Sequence, residues 1–296
     1  MANLLEKACR KPFLQRKPLK RVSELEERVT LPTGLTTVAY KWLPAGRPRA
    51  LVVGVHGFAE HAGRYEHVGR FLAERGFALY MYDLRGHGRS EWERGYVGRF
   101  EQFVEDTVAF VRLAKREVPA RTFLLGHSMG GLIAVYAAAR LGGELNGLLT
   151  SGAALEVKVN PLARFALQLA GLLNPKGRVR TPVATECLSK DRGVIERYMS
   201  DPLVFKDPTY KLLLEFGRAV RRVWRVVGTI GLPALIMHGG SDCLVPPSAS
   251  RKLYEKLPSP DKELKIYEGL RHEIFNEVER EKVLADLADW LSARAG

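Results

Sequence analysis

Cysteine is scarce here. Cys9, Cys187 and Cys243 are the only three in 296 residues, an odd number at wide spacing. None sits in a paired or metal-ligand arrangement, so the sequence predicts free thiols, a reducing compartment and no structural disulfide. Long apolar runs are also missing: no stretch approaches the roughly 18 residues that a bilayer-crossing helix needs. The first 21 residues, MANLLEKACRKPFLQRKPLKR, are basic but lack the apolar segment and small-residue site of a secretory leader, and a cytoplasmic protein is expected. The chain has no HExxH, no cysteine cluster and no GxGxxG opening a helix, so neither a metal nor an organic cofactor is expected.

Acidic residues are too few to balance the basic ones, and the net charge is +13. The excess is localised. Residues 1–21 contribute +6 and residues 155–230 contribute +7, whereas the remainder carries 25 charges of each sign. Zinc-finger spacing, an aromatic RNA-binding signature and a continuous basic stripe are all absent, so nucleic acid is not an expected partner. An anionic membrane surface is the partner that this distribution suggests, touched transiently by the central segment and the tail.

What is present is a regular alternation. ERVTL (27–31) and TTVAYKWLP (36–44) flank a Pro-Thr-Gly turn and read as an antiparallel pair. RALVVGVHG (49–57), FALYMYDLRG (77–86), RTFLLGHS (121–128), LNGLLTSG (145–152), PALIMHGG (233–240) and ELKIYEG (263–269) are short apolar runs. Helical patterns fall at about 64–75, 100–116, 129–140, 248–257 and 280–293. Such alternation predicts an α/β fold with a mainly parallel sheet and helices on both faces. Residues 153–229 break it, being helical and basic. They read as a cap inserted into a core of 27–152 and 230–296, with 1–26 as a basic tail.

Within LLGHSMGGL (124–132), Gly-x-Ser-x-Gly lies where a strand passes into a helix. A sharp turn there strains the serine backbone and presents the Ser128 hydroxyl at the carboxyl edge of the sheet, and the glycines leave room for it. The plainer alternative is a glycine-rich helix start with an N-cap serine. A serine needs a base. His272 follows the last expected strand and Asp242 the one before, giving the chain order Ser128, Asp242, His272 that suits this sheet. A loop histidine and a turn-forming aspartate are the ordinary alternatives, and Asp83 and Glu156 are rival acids. For an oxyanion, the backbone N–H of Met129 is one donor and that of Phe58, in the turn after VVGVHG, is the other. His56 is expected to be buried and hydrogen-bonded.

HGFAEHAGRYEHVGRFLAERGFALYMYDLRGHGRS, GHSMGGLIAVYAA, SDPLVF, HGGSDCLVP and KIYEGLRHEIFNE resemble the monoacylglycerol lipase and lysophospholipase group of the α/β-hydrolases, from about residue 27 to the C-terminus. The resemblance implies that fold, a Ser128–Asp242–His272 triad, oxyanion donors at Phe58 and Met129, and contacts of Glu60 and Arg64 with the alcohol side of the substrate. Phe275 stands where some members have a second histidine. The implied activity is hydrolysis of acyl-lipid esters, monoacylglycerols foremost, with lysophospholipids or simple carboxylic esters as alternatives. A proline-iminopeptidase-like serine aminopeptidase and a non-catalytic lipid-binding module remain as other readings.

The cap fits a lipid independently. PLARFALQLAGLL (161–173) has polar side chains only at Arg164 and Gln168, and KLLLEFGRAVRRVWRVV (211–227) is amphipathic and basic. Together they read as a lid over an acyl groove; alternatively, both bury their apolar faces against the core.

Overall fold

A computed structural model describes residues 22–156, 161–180 and 184–295. The first 21 residues, which hold Cys9 and most of the basic tail, lie outside the described part. Eight strands form one sheet: β1 (Ser23–Thr30), β2 (Thr36–Leu43), β3 (Ala50–Val55), β4 (Phe77–Tyr82), β5 (Thr122–His127), β6 (Gly147–Ser151), β7 (Ala234–Gly239) and β8 (Lys262–Tyr267). Their spatial order is β1-β2-β4-β3-β5-β6-β7-β8. The β1–β2 and β2–β4 pairs are antiparallel, and every pair from β4 to β8 is parallel.

Residue type explains which strands lie inside. Every residue of β3 through β7 is buried, as continuous apolar runs such as ALVVGV and FALYMY require when both sheet faces are covered. β1, by contrast, buries only Val29, and its Glu24, Glu26 and Glu27 pair with Arg70, Arg89 and Lys41. A charged edge strand of this kind resists pairing with another chain. Because β1 starts at Ser23, residues 23–26 belong to the hairpin rather than to a tail. Their glutamates conceal the strand in a hydrophobicity reading.

Nine α-helices are described: α1 (Glu66–Glu74), α2 (Glu101–Glu117), α3 (Met129–Leu141), α4 (Pro161–Leu173), α5 (Arg192–Ser200), α6 (Tyr210–Arg222), α7 (Trp224–Val227), α8 (Ser248–Lys256) and α9 (Arg280–Ser292). One core unites Phe110 of α2, Ile133 of α3 and Leu253 of α8 on one face of the sheet; the other unites Leu72 of α1 with Leu287 and Trp290 of α9. Helices α4 to α7 form the segment between β6 and β7. It packs on α3, whose Tyr136 hydroxyl donates to Ala219 O (2.8 Å) in α6. Covered by the sheet below and α6 above, α3 is apolar nearly all round.

One expectation fails here. Cys187 and Cys243 form a disulfide, with Cα atoms 5.4 Å apart and a sequence separation of 56. Cys187 lies in the inserted segment and Cys243 in the loop after β7, so the topology brings together two thiols that spacing alone separates. With these two thiols joined, free thiols no longer give a ground for expecting a reducing compartment.

Chain direction explains where a site can form. From β3 the chain moves outward to β4, then returns to place β5 on the other side of β3. The carboxyl ends of β3 and β5 therefore diverge into a crevice, the usual binding position in open α/β sheets.

Candidate active site

Ser128 stands between β5 and α3 with φ 52° and ψ −120°, one of two described non-glycine residues with positive φ. The fold over-determines this strained conformation. Ser128 N donates to Ser151 O (3.0 Å), and Ser128 O accepts from Gly131 N and Ala154 N. The motif glycines are required by contact: a Cβ on Gly126 would lie 2.3 Å from Gly130 O, and one on Gly130 would lie 2.1 Å from Val55 O. An alternative reading as a helix cap fails, because the Ser128 side chain caps no N–H of α3.

His272 and Asp242, from loops after two successive strands, come together. His272 Nδ1 lies 2.6 Å from Asp242 Oδ2, and both residues are buried. Asp242 Oδ1 accepts from Leu244 N and Val245 N (2.9 Å each), and His238 Nε2 lies 3.1 Å from Oδ2. Burial alone would raise the Asp242 pKa. Hydrogen bonds from His238 and His272 outweigh it and hold the carboxyl far below its usual range, so the acid stays ionised beside the imidazole. The rival acids are used elsewhere. Asp83 accepts from Ala62 N and Arg89 N, and Glu156 pairs with Lys252.

The ring of His127, next to Ser128, lies 4.8 Å from that of His272 and is tilted 50° to it. Burial and the neighbouring His272 push its pKa down to about 3, so it adds no charge. His56 is fully buried, with Nδ1 2.9 Å from Gly57 O, and its Nε2 accepts from Leu84 N (2.9 Å). It ties the end of β3 to the end of β4.

The turn after β3 carries Phe58, the second donor expected from the sequence. Gly57 N donates to Glu60 Oε1 (2.6 Å), which leaves the next N–H, that of Phe58, pointing free. Neither Phe58 N nor Met129 N has a hydrogen-bond partner among the described residues. A Cβ on Gly57 would lie 3.3 Å from Ser128 Cβ, which shows how closely turn and serine approach. Ala59, at φ 65°, completes the turn, and its carbonyl accepts from Phe205 N (3.2 Å) of the inserted segment.

Glu60 and Arg64 belong to an ionic lock that sequence reasoning missed. Arg64 donates to Glu60 Oε2 and makes a two-point contact with Glu273 (2.9 and 2.7 Å). Glu60 Oε1 also accepts from Tyr65 Oη (2.9 Å). The lock joins the oxyanion turn to the residue after His272. Burial opposes ionisation of Glu273, but Arg64 overcomes it and lowers the pKa to about 2. Glu60 lines the cavity that holds Ser128, whereas Arg64 lies behind it. The available signal was Glu60 and Arg64 at i, i+4 and a glutamate directly after the candidate base.

Ser128, His272 and Phe58 open into one cavity of about 400 Å³. Apart from them and Glu60, its walls are mainly apolar, including Leu188, Leu213, Phe216 and Val245. Leu213 and Phe216 come from α6, so the inserted segment roofs the site. Phe275 is buried and places no second imidazole there. Among the described residues no cluster of histidine, cysteine or carboxylate side chains is arranged to hold a metal.

This geometry can be set beside known proteins. The family described as "Serine aminopeptidase, S33" (Hydrolase_4) matches residues 46–279. The monoacylglycerol lipase of Mycolicibacterium smegmatis is 36% identical over 265 residues, 87% of this chain and 93% of that protein. Human monoglyceride lipase is 34% identical over 86% of each chain. The crystal structure of Paleococcus ferrophilus monoacylglycerol lipase superposes with a TM-score of 0.78 at 29% identity, covering 87% of this chain and 99% of that one. With a strained serine between β5 and α3 and the matched family spanning most of the sheet, the chain belongs to the serine aminopeptidase S33 family of α/β-hydrolases.

Proposed function

We propose that the protein is a serine carboxylic-ester hydrolase acting on acyl lipids, monoacylglycerols foremost. The observation that carries this reading is the buried Asp242–His272 pair opening, with the strained Ser128, into a mainly apolar cavity. His272 takes the Ser128 proton as Oγ attacks the ester carbonyl. Asp242 holds the tautomer and stabilises the imidazolium, while Phe58 N–H and Met129 N–H receive the oxyanion. Protonated His272 then gives its proton to the departing alcohol. Water, activated by the same imidazole, releases the fatty acid and frees the serine.

The test is direct. A fluorophosphonate probe is expected to label the wild type and not Ser128→Ala. That variant is expected to lose turnover of a short p-nitrophenyl ester by about three orders of magnitude or more, with an essentially unchanged thermal transition. Retention of more than a few per cent of wild-type turnover would overturn the assignment.

An aminopeptidase needs a carboxylate free to hold a substrate ammonium. Glu60 and Glu273, the acids at this cavity, are both committed to Arg64, which favours the ester reading. Lysophospholipids and simple esters remain within the same chemistry. The inserted segment also fits transient contact with a lipid surface. α4 exposes Phe165, Leu169, Leu172 and Leu173, a patch that water does not favour. Among the described residues no helix is long and apolar enough to cross a membrane, so such contact is peripheral.

A further inference from the structure

The cavity of Ser128 is not the largest on this side of the molecule. Behind it, where α1, α5 and the start of α9 meet, lies a cavity of about 530 Å³. Arg64, Arg70, Arg197 and Arg280 all line it, with only two carboxylates, Glu66 and Asp201. Those two are already taken: Asp201 by His61 Nε2 (2.8 Å) and Glu66 by Arg70 (2.8 Å). Arg64 is committed to Glu60 and Glu273. The guanidinium groups of Arg197 and Arg280 make no hydrogen bond, ion pair or ring contact among the described residues. His61, nine-tenths buried on the same wall, leaves Nδ1 without a partner.

Two uncommitted guanidinium groups, brought to one concavity by different elements, give it a positive lining that a bound anion would neutralise. Each presents a planar fork suited to a pair of oxygens. A carboxylate can satisfy one fork, whereas a tetrahedral phosphate offers enough oxygens for both. The volume greatly exceeds that of a bare ion, so an organic portion fits as well. We propose that this cavity binds a phosphate group, held between Arg197 and Arg280 at the back of the Arg64–Glu273 wall. The phosphate comes either from the headgroup of an acyl-glycerol phosphate or from a free phosphate ester.

Titration calorimetry at low ionic strength, with inorganic phosphate and with glycerol phosphate as probes, tests the site. Saturable binding is expected. It should weaken roughly tenfold or more in Arg197→Ala/Arg280→Ala, and measurably in Arg197→Ala alone, which changes only an exposed position of α5. Arg47→Ala/Arg251→Ala removes the same charge at exposed positions elsewhere and should bind as the wild type does. Absence of saturable binding, or equal weakening in both double variants, would overturn the proposal.

Turnover separates the two sources. If the headgroup is the source, kcat/KM for an acyl-glycerol phosphate falls roughly tenfold in the Arg197/Arg280 double variant while that for monoacylglycerol holds. If a free ester is the source, the double variant loses calorimetric binding and the ratio between the two lipids stays fixed. The headgroup arm rests on the ester-hydrolase reading; the calorimetric arm does not. Loss of p-nitrophenyl ester turnover in the wild type would therefore sink that reading and leave phosphate binding intact.

Discussion

β5 and α4 are comparably rich in leucine, yet the structure treats them in opposite ways. Leu124 and Leu125 of β5 are 0% and 2% exposed, whereas Leu172 and Leu173 of α4 are 80% and 86% exposed. β5 is covered on both faces, by α3 on one side and by the core containing α9 on the other. α4 packs on α6 and leaves its remaining surface open. Apolar composition thus measures a tendency to leave water, and topology decides whether the chain itself satisfies it. Where it does not, the residual patch points to another apolar phase.

The contrast predicts graded consequences. The largest belongs to the core at the elbow. Gly130→Ala would drive Cβ into the backbone carbonyls of Val55 and His56, neither of which can move aside cheaply. A loss of several kcal/mol is expected, about 10 °C or more in Tm, together with ester turnover. A variant as stable as the wild type would show that the elbow is not tightly packed.

Next comes the Cys187–Cys243 link between the inserted segment and the acid loop. Closing a loop of this length contributes up to ~4 kcal/mol through the unfolded state. Cys187→Ser/Cys243→Ser should lower Tm and make it insensitive to reductant, while the wild type should fall towards the variant when reduced. His272 N donates to Cys187 O and Glu273 N to Leu188 O, so turnover should also soften before global unfolding.

The ionic lock comes third. The Glu273 carboxyl is lowered in the folded state to about 2, so its contribution is fully present above its ordinary value of 4.5 and is lost as pH falls through about 2. Glu273→Gln should cost about 3 kcal/mol at neutral pH, because it strips a buried arginine of its two-point partner. It should also flatten the decline in stability between those two pH values. Parallel acid denaturation curves for wild type and variant would contradict this account.

The smallest effect on stability is expected at α4, where the comparison began. Leu169→Ser/Leu172→Ser/Leu173→Ser should change stability by less than about 0.5 kcal/mol per site. Turnover of a water-soluble ester should hold, while turnover of monoacylglycerol in vesicles falls several-fold. Equal loss on both substrates would mean that α4 shapes the cavity rather than the approach to lipid.

Much of this was legible in the chain. Six apolar runs and an antiparallel pair correspond to the eight strands, and Gly126, Ser128 and Gly130 occupy the turn that their spacing implied. His272 and Asp242 meet as their positions after successive strands required. Other features were not legible. Cysteine parity said nothing about Cys187 and Cys243, because proximity across 56 residues depends on how the inserted segment folds back. Nothing in the sequence marked Glu273 as the partner of Arg64, or His238 at the end of β7 as a neighbour of Asp242.

The sequence by itself determined the elements that depend on near neighbours: apolar runs that must be buried strands, a glycine-spaced elbow, and the placing of Ser128, Asp242 and His272 each after a strand. Only the tertiary structure decided which distant groups share a bond or a cavity. It joined Cys187 to Cys243, locked Arg64 to Glu273, and gathered Arg197 and Arg280 at one concavity. The physical reason is range. Strand periodicity and turn strain act over a few residues, whereas ion pairing, disulfide closure and burial depend on distances in space that only the completed packing sets.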